Sequence, residues 1–203
     1  MRKPFRPATR LICCLVSTAL VVCLVGCLAQ PTHTNVPLRD LIVDLKSALP
    51  GRPDLAVYVP DPAYTKPESE SDGNLGIENK GVIYKLDITS LTGGALVHWV
   101  YRSSNPYRAS VTFNYMLETK TVRTYNGPPK WWTYRSPIAD DWQGGCDEEG
   151  PAILCTSITR YDEFISVVNY NFLPSQFTGD EWQRVLKSID EQFAKHLGKT
   201  MTK

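Results

Sequence analysis

Residues 178–198 read TGDEWQRVLKSIDEQFAKHLG, and this stretch decides the fold class. Thr178 followed by Glu181 forms a capping box, the hydroxyl serving the third amide and the carboxylate returning to the first. Behind it Trp182, Val185, Leu186, Ile189, Phe193 and Leu197 recur at helical spacing, and Gly198 stands where a left-handed residue ends a helix. A helix with one apolar stripe must bury it against something. Immediately upstream, Ile153–Arg160 and Phe164–Leu173 flank the turn Tyr161-Asp162-Glu163 and read as a β-hairpin.

Working outward, Leu55–Val59 reads as a short strand and Val82–Thr89 (VIYKLDIT) alternates. Ala95–Arg102 (ALVHWVYR) and Ser110–Glu118 (SVTFNYMLE) alternate as well. In Ser110–Glu118, Val111, Phe113, Tyr115 and Leu117 share one face, which predicts a strand with an apolar side. Thr121–Tyr125 and Trp131–Tyr134 flank Asn126-Gly127-Pro128-Pro129, the pattern of one further hairpin. Near the start, Pro37 opens a predicted helix in which Leu38, Leu41, Ile42, Leu45 and Leu49 form a stripe, stopped by Pro50-Gly51. The fold class is therefore α+β: an antiparallel meander sheet packed by an N-terminal and a C-terminal helix, in a single domain over 38–203.

The chain has 203 residues, 22 basic and 21 acidic, for a formal charge of +1. Arg2, Lys3, Arg6 and Arg10 precede the first acid, Asp40, so the chain beyond residue 26 carries 18 basic against 21 acidic residues, or −3. That balance excludes nucleic acid as a partner, because phosphate neutralisation needs a concentrated basic face. Leu11–Ala29 (LICCLVSTALVVCLVGCLA) is uncharged and follows the four cations, the pattern of a secretory segment. It ends in Leu24-Val25-Gly26-Cys27, which resembles the lipobox of bacterial lipoprotein precursors. The resemblance covers those four residues and the basic and apolar regions before them; Val25 stands where Ala or Ser is commoner. It implies a signal peptide over 1–26, cleavage before Cys27, a diacylglycerol on that thiol and fatty acylation of the new amine. Two or more chains anchor stably where one does not. Membrane attachment through this N-terminal lipid is thus expected, with the domain exported to the non-cytoplasmic side of a cell or outer membrane. An uncleaved span over Leu11–Ala29 and ordinary cleavage after Ala29 are the alternatives, and both also export the domain. Leu28–Pro37 (LAQPTHTNVP) reads as a tether.

Of six cysteines, Cys13, Cys14 and Cys23 lie in the signal, Cys27 is the lipid attachment site, and Cys146 and Cys155 remain. An even pair in an exported domain predicts a disulfide, closing a loop with Gly150-Pro151 at its middle.

Candidate sites are few. Glu68, Glu70, Asp72 and Gly73 imitate the opening positions of a calcium loop, with Glu78 as a further carboxylate. The match fails at the last position, where Asn79 replaces the bidentate acid, so a solvated loop is the simpler reading and no metal or cofactor is expected. Trp131, Trp132 and Tyr134, with Trp142 nearby, are the better binding platform. Neighbours on a strand point to opposite faces, so both tryptophans cannot lie under one face, and an exposed indole stacks on sugar rings or contacts a protein. His98 shares a side with Leu96 and Val100, and Asp140-Asp141 and Asp147-Glu148-Glu149 supply carboxylates, but no nucleophile elbow, zinc-protease helix or phosphate loop occurs. The expectation is a lipid-anchored envelope protein acting as a non-enzymatic binding or accessory module, with an envelope protein or wall glycan as partner. The alternatives are a small enzyme acting on wall polymers through carboxylates, and a structural component.

Overall fold

The computed structural model describes residues 32–58, 78–85, 94–119, 127–148 and 151–201. The lipobox, the tether before Thr32, Val59, Leu86–Thr89, Thr121–Tyr125, Glu149, Gly150 and the acidic loop apart from Glu78 and Asn79 lie outside the described residues. Six antiparallel strands form one sheet: β1 (Ala56–Tyr58), β2 (Glu78–Lys85), β3 (Ala95–Arg102), β4 (Asp141–Asp147), β5 (Ile153–Tyr161) and β6 (Phe164–Phe172). Their spatial order is β1-β2-β3-β6-β5-β4. Two three-stranded meanders therefore meet side by side where β3 pairs with β6, Arg102 opposite Phe164 and Ala95 opposite Asn171. The helices are α1 (Leu45–Ala48), α2 (Pro106–Glu118) and α3 (Gly179–Leu197). This is the expected α+β class, an antiparallel sheet with helical structure before β1 and after β6.

The C-terminal helix forms as its sequence dictates. Thr178 Oγ1 accepts from Glu181 N at 3.2 Å, Glu181 Oε2 accepts from Thr178 N at 2.7 Å, and Gly198 closes the helix in the left-handed region at φ 65°. On one sheet face Leu96, Val100, Tyr161, Phe164, Val168 and Phe172 pack with Trp182, Val185, Ile189 and Phe193 of α3 in the main core. On the opposite face Ile158, Ile165 and Val167 pack with Ala109, Phe113 and Met116 of α2 in a smaller one.

Three local expectations are corrected. Ser110–Glu118 belongs to a helix, not a strand. Asn105 Oδ1 caps it by accepting from Arg108 N at 2.9 Å, Pro106 occupies its first turn, and the buried residues 109, 112, 113 and 116 follow helical spacing. Trp131–Tyr134 joins no ladder: Trp132 N donates to Pro129 O at 3.0 Å in a turn, and Gln183 Oε1 on α3 accepts from Thr133 N and Tyr134 N at 2.9 and 2.8 Å, replacing a partner strand. The expected helix after Pro37 breaks into a 3₁₀ turn (Leu38–Leu41) and α1. Asp44 restarts it by capping Lys46 N, and Val43 N is drawn away to donate to His98 Nδ1 at 3.1 Å. The apolar stripe still reaches the core, with Leu41, Leu45 and Leu49 buried.

The expected strand at 82–89 begins earlier, at Glu78. Residues 141–147 form β4, for which no strand was expected, and place Cys146 opposite Cys155 as the expected bridged pair. Among the described residues no helix is long and apolar enough to cross a membrane.

Candidate functional site

The segment 131–140 is strapped lengthwise along α3. Trp131 O accepts from Gln183 Nε2 at 3.1 Å, Tyr134 and Ser136 hydroxyls donate to Asp190 at 2.5 and 2.8 Å, and Ile138 O accepts from Lys199 Nζ at 3.4 Å. These anchors fall in the same order on both segments, from Gln183 through Asp190 to Lys199 just past the end of α3. Two sequence-predicted groups meet here, the aromatic platform and the last helix.

Trp132 is only 2% exposed and packs edge-on against Trp142 (5.6 Å, 86°) and Trp182 (5.3 Å, 85°). It is core, and unavailable as a platform. Trp131 stacks on it at 6.4 Å, lies over Gly179 and donates from Nε1 to Glu148 at 2.9 Å, leaving the indole half-buried at the surface. Trp142 donates to Ser157 Oγ at 3.0 Å and carries the Arg135 guanidinium 4.4 Å above its ring. Tyr134 spends its hydroxyl on Asp190. Of the four platform residues, Trp131 keeps a half-buried indole at the surface.

Between the strap, α3 and the sheet lies a polar cluster that the sequence reading did not assemble. Asp190 Oδ1 accepts from Tyr161 and Ser136 hydroxyls and Oδ2 from Tyr134. Burial pushes the Asp190 carboxyl upward, partly offset by those three donors, and burial first, then the neighbouring Asp190 charge, pushes the Tyr161 phenol well up. Ser157, Thr159 and Ser166 line the same small void of about 10 Å³, the scale of one water molecule. One signal was available: Asp190 falls four residues after Leu186 and three before Phe193, a carboxylate on the apolar stripe.

His98 joins this cluster, with Nε2 2.9 Å from Ser166 Oγ. A serine, a histidine and an aspartate in one interior invite a nucleophilic reading, and the hydrogen bonds refuse it. Val43 N donates to His98 Nδ1, so Nδ1 carries the lone pair and Nε2 the proton. The proton thus points at the serine that a general base would have to deprotonate. Burial also lowers the His98 pKa to about 3, and Asp190 is bound to tyrosines instead of the imidazole. The arrangement fixes a neutral histidine in place with its proton directed at the serine.

Of the acidic candidates, Asp140, Asp141 and Glu78 lie in ion pairs. Arg160 Nε donates to Asp141 Oδ2 at 2.6 Å, Asp140 meets Arg160 and Lys199 at 3.4 Å each, and Glu78 pairs with Arg102.

The sequence reading missed one surface. Tyr107, Val111 and Tyr115 lie at i, i+4 and i+8 on α2 and are 58%, 45% and 50% exposed. A second concavity, a groove of about 390 Å³ between α1 and α3, is lined by Ser47, Arg184, Lys187, Glu191 and Lys195.

No protein-family model and no curated protein matches the chain. A similar solved structure is the extracellular domain of PknH from Mycobacterium tuberculosis. The TM-score is 0.42 and the identity 11%, over 79% of this chain and 98% of that one.

Proposed function

We propose that the chain is an exported, lipid-anchored protein of the cell envelope whose domain binds a partner without catalysing a reaction. The non-catalytic half is carried by the His98 tautomer: the histidine nearest a buried serine already holds its proton on the serine side. Asp140, Asp141 and Glu78 are neutralised by guanidinium or ammonium groups, which leaves them no role as a paired acid and base. The export half is supported by the basic and apolar leader ending in Leu24-Val25-Gly26-Cys27. The Cys146–Cys155 bridge suits an oxidising compartment. Trp131, half-buried on a rigid strap, is the residue best placed to stack on a wall glycan or a protein partner.

Two measurements test this. Intact mass of the protein taken from membranes should begin at Cys27 with added acyl chains and gain two hydrogens on reduction; a full-length, unacylated mass refutes the anchor. Co-sedimentation with isolated wall glycan should be lost in Trp131→Ala while its circular dichroism stays unchanged. Equal co-sedimentation of the variant rejects Trp131 as the contact.

A further inference from the structure

We infer that the end of the domain where β5 turns into β6 and where α2 begins is its membrane-facing surface, apposed to phospholipid head groups. The inference rests on the lipid anchor proposed for Cys27 and adds the orientation that follows from it.

The first described residues are fixed to this end. Thr32 Oγ1 donates to Glu163 Oε2 at 2.7 Å and His33 N donates to Glu163 Oε1 at 2.6 Å. Glu163 is fully buried in the β5–β6 turn, with both carboxylate oxygens used by the entering chain. Arg102 Nη1 donates to Val36 O at 3.0 Å and secures the next turn. The stretch read as a ten-residue tether is therefore free for half that length at most. Five steps of chain join Cys27 to Thr32, and at no more than about 3.6 Å each they reach about 18 Å. A lipid on Cys27 holds this end close to the bilayer.

The groups gathered there suit an interface. Ser103 N donates to Glu163 O at 2.9 Å, so the chain leaves β3 beside the same turn and starts α2 within three residues. The first turn of α2 presents Tyr107 and Arg108, both exposed. A phenol with a polar tip sits at head-group level, and a guanidinium matches phosphate. Lys199 Nζ and His33 Nε2 each lie 3.3 Å from Asp162 Oδ2, which brings the end of α3 to this surface too. Strands β5 and β6, nine residues each, carry the chain about 30 Å away from it. At that opposite end stand the disulfide and Trp131, directed away from the membrane.

The test uses the mature acylated protein, beginning at Cys27, in phosphatidylcholine–phosphatidylglycerol vesicles doped with a nickel-chelating lipid. A nitroxide is placed at Ser104→Cys or at Ser175→Cys, both exposed, near the two ends. With Cys27 acylated and the other pair bridged, the introduced thiol is the one that labels. Relaxation enhancement at 104 and none at 175 is the expected result. Equal enhancement, or the reverse, in protein that floats with the vesicles overturns the orientation and leaves the anchor standing. If the intact mass of the membrane-extracted parent shows residues 1–26 retained and no acyl chain on Cys27, the anchor fails and this inference falls with it.

Discussion

Replacing Trp132 by alanine should be the most destabilising change in the aromatic segment, and it separates core from platform. Burying an indole removes roughly 200 Å² from water, worth about 5 kcal/mol at about 25 cal/mol per Å². The two edge-on contacts with Trp142 and Trp182 each add about 1 kcal/mol. Against this, Trp132 Nε1 is buried without a hydrogen-bond partner, which costs about 1–3 kcal/mol. The balance sits at the upper end of the range seen for such truncations, about 3–5 kcal/mol. For a domain of this size the melting temperature should fall by about 6–20 °C. Trp131→Ala loses a hydrogen bond to an exposed carboxylate and the packing of a half-buried ring, and should cost about 1–2 kcal/mol. Trp132→Phe discards the unpaired N–H along with one ring, so it should cost less than half as much as Trp132→Ala. Thermal denaturation followed by far-ultraviolet circular dichroism reads all three. A Trp131→Ala loss as large as that of Trp132→Ala, or a harmless Trp132→Ala, refutes the assignment.

Gly144→Ala should destabilise by about 1–3 kcal/mol in a melt, because its Cβ would meet Trp132 Cη2 at 2.6 Å and Trp142 Cζ2 at 2.9 Å. Burial pushes the Glu181 carboxyl up, but the Arg52 hydrogen bond and the Thr178 donors outweigh it and hold the group below its ordinary value. Its contribution is therefore complete above the unfolded value of about 4.3 and is lost as pH falls through the lower folded one. Arg52→Gln should then be less stable than the parent at pH 7 and converge with it below about pH 4; curves that stay parallel would argue against the ion pair. For His98, nitrogen-15 shifts should show the neutral Nε2–H tautomer unchanged from about pH 8 to pH 5, and a ring that titrates in that range would restore it as a base.

Much of the sheet was legible because its strands carry period-two patterns that nothing else in the chain contradicts. The β5–β6 hairpin and α3 were readable for a stronger reason, since turn, cap and periodicity agree there. Residues 106–118 failed because they satisfy two periods at once. Val111, Phe113, Tyr115 and Leu117 alternate, while Ala109, Thr112, Phe113 and Met116 repeat helically. The tie is broken by Asn105-Pro106, a cap and first-turn proline whose effect is local and decisive. The cost of resolving it as a helix is visible: Val111 and Tyr115 are left facing outward.

The site was legible in its residues and illegible in its geometry, for a physical reason. Trp131 and Trp132 were placed on opposite faces by a strand argument, yet the segment takes its hydrogen bonds from Gln183 on α3. Without a ladder the two indoles stack on one side instead of alternating. That choice depends on a side chain about fifty residues away, which no local pattern encodes. The same holds for Glu163, in sequence an ordinary turn acid. It is buried because Thr32 and His33 return from 130 residues upstream to occupy both its oxygens. A carboxylate in that position is expensive to bury unless its partners are permanent, so the entering segment is part of the domain and not a loose leash. If so, Glu163→Gln, which keeps the shape but offers an amide to the two donors, should loosen residues 32–36 and leave the sheet intact. Hydrogen exchange should quicken at His33 N while Val167 and Val168, deep in β6, stay protected; uniform acceleration across the sheet would show instead that Glu163 supports the core.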